Sequence, residues 1–458
     1  MQDAKTSAQE ERYKLLTETP VPELILKLSA PTIVSMMVTG IYNTADTFFV
    51  GQISTQATAA VGLVFSVMAI IQALGFFCGH GSGNYISRML GAGDRKEASE
   101  MASTGFALAV ILGLTVAVVG NIFLEPLAYF IGSTPTTLEY TMIYMRIILI
   151  GAPFTMTQFV INNQLRFQGS AMYAMFGLLS GAVVNIGLDP LLIFGFHLGV
   201  AGAAIATIAG QVMSFCVLLS GSMRGPNIRL NIKNVRLGPH YLLEITNGGI
   251  PSLFRQGLAS VSTLLLNSAA GSLGGDAAIA GMSVTTRVIM LLFSALIGFG
   301  QGYQPLCSFN YGAGLKSRVK EGFVFCVKYG TIYMTIVAAV LFAFSPQIIG
   351  IFRDDPEVIA VGRVALRFQS AALPLAAFIT MTNMMLQSMG KGVKASITAS
   401  AKNGIFFIPL ILILPRVLGL RGVEMTQSLA DICAFGLAIP LAMSELRKLS
   451  GGDDVKEN

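Results

Sequence analysis

Charge is what this chain has least of. Asp, Glu, Lys and Arg make up 12% of its 458 residues, against 53% hydrophobic. Ordinary soluble domains carry about 25% charged residues, so a soluble globular surface is excluded. The scarcity is also uneven. No charged residue occurs at 47–87, 101–124, 190–223, 288–315, 329–352 or 368–390. A bilayer span needs about 20 apolar residues, so each gap holds one helix or two. Strict alternation of polar and apolar residues is missing, which argues against a β-barrel. Tryptophan is absent, so any aromatic belt must use tyrosine. The three histidines, His80, His197 and His240, are poor material for a metal site. Cys78, Cys216, Cys307, Cys326 and Cys433 sit in apolar stretches without metal-ligand spacing and read as packing residues. There is no GxxxxGK[ST] loop, no HExxH and no GxSxG, so an ion gradient rather than ATP is the expected energy source.

The net charge of +6 reads as basic cytoplasmic loops rather than a nucleic-acid surface. The N-terminus is polar to about Leu24 and has no signal-peptide pattern. Spans are expected at 24–50, 57–86, 101–124, 138–161, 172–195, 200–222, 243–271, 277–304, 323–345, 358–385, 396–416 and 423–444. The fold class is therefore all-α integral membrane with twelve transmembrane helices. The expected organisation is a segment at 1–23, a six-helix lobe at 24–223, a linker at 224–240, a second lobe at 241–446 and a tail at 447–458. Basic residues recur in every second loop: Arg88, Arg95 and Lys96, then Arg166, then Arg224 to Arg236. They continue at Lys316 to Lys320, at Lys391 and Lys394, and at Arg447 and Lys448. The positive-inside rule then puts both termini in the cytoplasm.

The chain repeats itself at a separation of about 220 residues. Pro31 pairs with Pro251, and Gly91-Ala92-Gly93 with Gly312-Ala313-Gly314. Arg146 and Pro153 pair with Arg367 and Pro374. Asn162, Leu165 and Gly169 pair with Asn383, Leu386 and Gly390, and Leu198-Gly199 with Leu418-Gly419. Six spans per copy is an even number, so the copies are parallel repeats about an axis along the membrane normal.

Ionisable residues inside spans are expensive and are functional candidates by default. Asp46 shares a helix face with Tyr42 and Asn43. Asp189 shares one with Asn185 and precedes Pro190, which should kink the helix and free a carbonyl. Such a group of oxygens could ligate a small cation or hold a proton. The structural alternatives are an Asp46 that reaches water at a helix end and an Asp189 that pairs with a neighbouring helix. Arg255 and Gln256 are candidates to line a substrate cavity, with Asn43. An ion pair of Arg255 with Glu244 or Asp431 is an equal alternative. Arg146, Arg367, Lys402 and Asp431 read as architectural.

At these motifs the sequence resembles the multidrug and toxic compound extrusion (MATE) family. The resemblance rests on "ADTFFVG" at Asp46, "GAG" after span two, "NNQLRFQG", "NIGLDPLLIFG", "LGVAGAAIAT", "GIPSLFRQG" and "GFGQGYQPLCSFNYGAG". It implies a V-shaped pair of lobes that exports amphipathic, often cationic compounds in exchange for H⁺ or Na⁺. Within the family it is closest to the DinF-like branch. That branch implies a coupling site of Asp46, Asn185, Asp189 and Thr207, with Asn162, Tyr42 and Tyr144 nearby. Were the ion Na⁺, its ligands would come from Asp46, Asp189 and Asn185. No other cofactor is expected. The expected partners are the lipid bilayer of a bacterial inner membrane and small amphipathic substrates. No nucleic acid and no obligate protein partner are expected, and the chain should act as a monomer. The rival readings are a flippase for lipid-linked precursors, a membrane-embedded enzyme and a channel.

Overall fold

A backbone in hydrocarbon must satisfy every N–H and C=O internally, which leaves a chain this apolar one option, the helix. The computed structural model describes residues 2–450, with their side chains except at 2–8 and 41–47. In the first half run α1 (Gln2–Glu18), α2 (Val21–Gly51), α3 (Thr55–Gly91) and α4 (Arg95–Ile122). The short α5 (Leu124–Phe130), α6 (Leu138–Phe167), α7 (Ala171–Pro190) and α8 (Gly199–Ser222) follow. The second half holds α9 (Pro239–Gly312), α10 (Lys316–Ala343), the short α11 (Ser345–Phe352) and α12 (Pro356–Ser388). It ends with α13 (Gly392–Ser400), α14 (Phe407–Leu418) and α15 (Leu420–Ser450). Side-chain caps start several helices. Ser54 accepts from the Ala57 amide and Asp94 from the Glu97 amide.

Among the described residues, eleven helical stretches are long and apolar enough to cross a bilayer. One of them, α9, has 74 residues and would measure about 110 Å as a single rod. It turns back at Gly275, where φ is 62° and ψ −155°, so it supplies two spans and the described residues hold twelve. Large apolar side chains face outward, among them Phe130 at 87% exposure and Val393 at 74%. In water these would be a liability; in lipid they are the contact surface.

The duplication recurs as geometry. Gly93, Gly169 and Gly199 have φ of 85°, 83° and 54°; their counterparts Gly314, Gly390 and Gly419 have 77°, 75° and 59°. Asn162 Nδ2 donates to the Ala174 carbonyl at 2.8 Å, and Asn383 Nδ2 to the Ala395 carbonyl at 2.7 Å. Each lobe also carries a π-helical turn in its fifth span, but at positions the repeat does not match, Leu191–Gly195 and Ala401–Ile405.

Among the described residues the lobes meet where α2 and α3 pack on α9. Gly81 seats against the backbone of Ile245 on α9, and Gly302 against the backbone of Ser29 on α2. Ser29 Oγ donates to the Phe299 carbonyl at 3.0 Å. Each lobe's first helix also packs within its own lobe. Helix α2 packs on α7, and Ser262 of α9 donates to the Asn403 carbonyl at 2.5 Å. The two lobes form a V-shaped pair.

Helix α1 straps the closed end. Arg12 donates to Asn227 Oδ1 at 2.6 Å and to Ser170 Oγ at 2.8 Å on the first-lobe side. Asn310 Nδ2 donates to the Leu16 carbonyl at 3.0 Å, and Arg318 Nη2 to the Thr19 carbonyl at 2.6 Å, on the second-lobe side. Leu16 is fully buried.

Two charges that read as loop residues are helical and buried. Arg88 lies in α3 and pairs with Glu244 at 3.0 Å. Arg166 lies in α6 at 2% exposure. Both belong to the lobe junction, where a long side chain can reach a partner on the facing lobe, so neither reports loop charge.

Candidate coupling site in the first lobe

Asp189 closes α7. Pro190 cannot extend the α-helical hydrogen bonding, and the chain passes into the π turn Leu191–Gly195. At this proline, where a kink is expected, the helix changes from α to π hydrogen bonding with helical dihedrals on both sides. Asp189 is fully buried and Asn185, one turn earlier, is 3% exposed. Helices α7 and α8 touch here because both lack a side chain at the crossing. A Cβ on Gly181 would lie 2.6 Å from the Gly210 carbonyl oxygen, and one on Gly210 would lie 2.6 Å from that of Gly181. Gly210 also faces the Asn185 Cβ. The small-residue crossing thus brings α8 against the acid-bearing face of α7.

Neither Nδ2 nor Oδ1 of Asn185 has a hydrogen-bond partner among the described residues. Buried polar atoms are nearly always paired, so the unmatched amide marks Asn185 as a candidate ligand beside Asp189. Thr207, 4% exposed on α8, donates to the Ala203 carbonyl at 3.0 Å. That bond uses its hydrogen and leaves oxygen lone pairs free to accept or ligate. Tyr144 of α6 is fully buried, in one apolar cluster with Ile193, Val200 and Ala203. Asp189, Asn185, Thr207 and Tyr144 thus occupy one end of the first lobe, on α6, α7 and α8. Tyr42, Asn43 and Asp46 fall on α2, which packs against α7; their side chains lie outside the described residues. Among the described residues no group of three His, Cys, Asp or Glu could hold a metal. An ion here would draw on amide, hydroxyl and carbonyl oxygens as well as carboxylate.

Asn162 sits elsewhere. Its amide is bonded to the Ala174 carbonyl, and Ala174 precedes Asp189 by fifteen helical positions, about 22 Å along α7. It ties α6 to α7 near their other end, as Asn383 ties α12 to α13. Arg255 Nη1 donates to Asn383 Oδ1 at 3.1 Å. It pairs with neither suggested acid, because Glu244 holds Arg88 and Asp431 holds Lys402. Gln256 is half-buried beside it on α9. Arg367 donates to Ser345 Oγ at 3.0 Å, an architectural tie as expected.

A buried network at the lobe junction is not apparent from the sequence motifs. Arg166 donates to Asn163 Oδ1 at 2.6 Å, to His80 Nε2 at 3.2 Å and, across the lobes, to Gln301 Oε1. His80 is fully buried. One signal could have found it: the repeat is broken at these places. Gln387 stands where Arg166 does in the other copy, and Gln301 where His80 does.

Comparison with known proteins agrees with this architecture. The MatE family pattern matches residues 31–191 and 251–413, one stretch in each lobe. The multidrug export protein MepA of Staphylococcus haemolyticus (strain JCSC1435) is 29% identical over 430 residues, covering 93% of this chain and 94% of that protein. A crystal structure of a MATE protein in complex with MaL6 superposes with a TM-score of 0.90 at 27% identity, covering 96% of this chain and 99% of that one. The outward-facing conformation of a multidrug resistance MATE family transporter of the MOP superfamily gives a TM-score of 0.90 at 26% identity, covering 96% and 98%. Both halves carry the family pattern and nearly the whole length shares the fold, so this chain belongs to the MatE family.

Proposed function

We propose that this protein is a cation-coupled multidrug exporter of the DinF-like branch. It works by alternating access between its two lobes in a bacterial plasma membrane, as a monomer, with both termini cytoplasmic. Its substrates are amphipathic, often cationic compounds, and its coupling ion is H⁺ or Na⁺. The relatives' multidrug export supports the substrate class. The observation that carries the coupling site is the unmatched buried amide of Asn185, one turn from buried Asp189. An ion or a protonated carboxyl arriving there gives the amide its partner. The departure of that partner restores the unmatched state, so site occupancy is coupled to the packing of α7 on α8.

The test is ethidium efflux from cells expressing Asp189→Asn. Export should fall to background while the protein still inserts; undiminished efflux removes the coupling assignment. In proteoliposomes, an imposed pH gradient set against an imposed sodium gradient identifies the ion. A flippase for lipid-linked precursors is the second reading. It is kept by Arg166 and Arg255, whose described partners are uncharged side chains. Gradient-independent movement of a lipid-linked pyrophosphate, with no ethidium transport, would favour it.

A further inference from the structure

The second lobe holds a buried ionic cluster at positions where the first lobe carries Gly181 and Gln211. Lys402 Nζ lies 3.4 Å from Asp431 Oδ1, and Gln427 Nε2 donates to the same oxygen at 3.1 Å. Asp431 is 3% exposed. The ammonium also sits 4.8 Å above the ring centroid of Phe293. Lys402 is carried on the π turn Ala401–Ile405, a helix distortion found often at functional positions. Its side chain keeps 23% exposure, so the cluster can be reached.

The pair is a poor piece of scaffold. Burying two charges costs several kcal/mol per ion, repaid only with excellent geometry and full hydrogen bonding. Here both partners crowd one carboxylate oxygen at moderate distance. The duplication supplies a control. The position matching Lys402 in the first lobe is Gly181, and that matching Asp431 is Gln211. The first lobe forms the same helix crossing through bare glycine contacts, so the crossing does not need the charges.

A carboxylate facing an aromatic ring is what recognises an organic cation: charge on one side, a π face on the other. We propose that Asp431 and Phe293 form a subsite for the cationic nitrogen of a substrate, an amine or quaternary ammonium. Lys402 is a tethered competitor that fills the subsite when no substrate is bound. This rests on the exporter reading for the class of substrate, and it names the group in the second lobe that takes the charge. An arriving cation displaces the lysine ammonium toward the exposed side, and the carboxylate is never left bare.

The test is ethidium binding, by fluorescence anisotropy, to the full chain in nanodiscs. A competitor lowers apparent affinity by the fraction of time it leaves the site open, so Lys402→Ala should tighten binding about tenfold. Asp431→Asn should weaken it by a similar factor, and Lys402→Arg should leave it near wild type. In Lys402→Ala/Asp431→Asn the tightening should vanish. A purely structural pair gives the opposite pattern: both single variants melt lower and neither binds more tightly, which overturns the proposal. Lys402→Met, which keeps the side-chain volume, guards against a cavity effect. Failure of both lysine variants to fold also overturns it. If the wild type binds ethidium and Lys402→Ala does not tighten it, this proposal fails alone. If neither the wild type nor any variant binds ethidium, the exporter reading fails and takes this one with it.

Discussion

Gly91 and Gly312, equivalent residues of the two copies, each occupy the notch in the other's helix. A side chain on Gly91 would run into the Phe309 carbonyl oxygen, and one on Gly312 into the Arg88 carbonyl oxygen. Phe309 precedes Gly312 by three residues, and Arg88 precedes Gly91 by three. The contact is therefore reciprocal about the pseudo-two-fold axis, with backbone against backbone. It brings α3 and α9 as close as two helices can come, at the end that α1 straps.

Gly91→Ala should therefore be costly although alanine is the better helix former. The obstructing atoms are main chain and cannot swing away. Overpacking of this kind costs about 1–3 kcal/mol. Thermal melts in detergent should drop by several degrees. Gly436→Ala is the control, since open space surrounds that position. It should melt at or slightly above the wild-type temperature. Equal melts for the two variants would contradict the close-packed junction.

Asn185→Ala should separate function from stability. An unmatched buried amide carries a desolvation cost of about 1–3 kcal/mol, which alanine removes. The variant should melt at or above wild type while gradient-driven efflux is lost. A melt well below wild type would mean that the amide is a structural partner after all.

Arg12→Ala should loosen the strap. Two hydrogen bonds from a charged group are lost, each worth about 1.5–3 kcal/mol at most. Amide exchange at Leu16 and Thr17 should accelerate by tenfold or more, as read by mass spectrometry. The strap should not respond to pH near neutrality. Burial, and then the charge of Arg95, lower the Arg12 pKa from the ordinary guanidinium value to about 10. Between those values the unfolded chain binds a proton that the folded one does not, so this group's contribution to stability rises with pH there. It is flat below about pH 9. Protection factors at α1, which correct for the base-catalysed intrinsic rate, should accordingly match at pH 6 and pH 8; a marked difference would assign the latch to another group.

Much of the architecture was legible because membrane folding writes itself as composition. Uncharged gaps marked the spans, and Gly93, Gly169 and Gly199 marked the turns of a repeat whose counterparts share their left-handed backbone. Asp189 and Asn185 were found because a buried acid is conspicuous against an apolar helix. Asn162 was placed by motif beside them, yet it bonds α7 far from Asp189, since neighbours along a motif need not be neighbours across a helix pair. Arg166 read as a loop charge because it stands beside a polar stretch. Only the facing lobe, with Gln301, makes it a buried bridge.

The sequence by itself determined that the chain is helical, that it crosses a bilayer about twelve times and that it is built twice. Those properties follow from transfer free energy and local backbone preference, which act residue by residue. Tertiary structure alone decided which polar groups meet. Arg255 could have paired with Glu244 or Asp431; packing gave those acids to Arg88 and Lys402, and Arg255 to Asn383. Inside a low-dielectric interior each charge takes the partner that helix crossings bring within about 3 Å, and crossing geometry is a property of the assembled lobes.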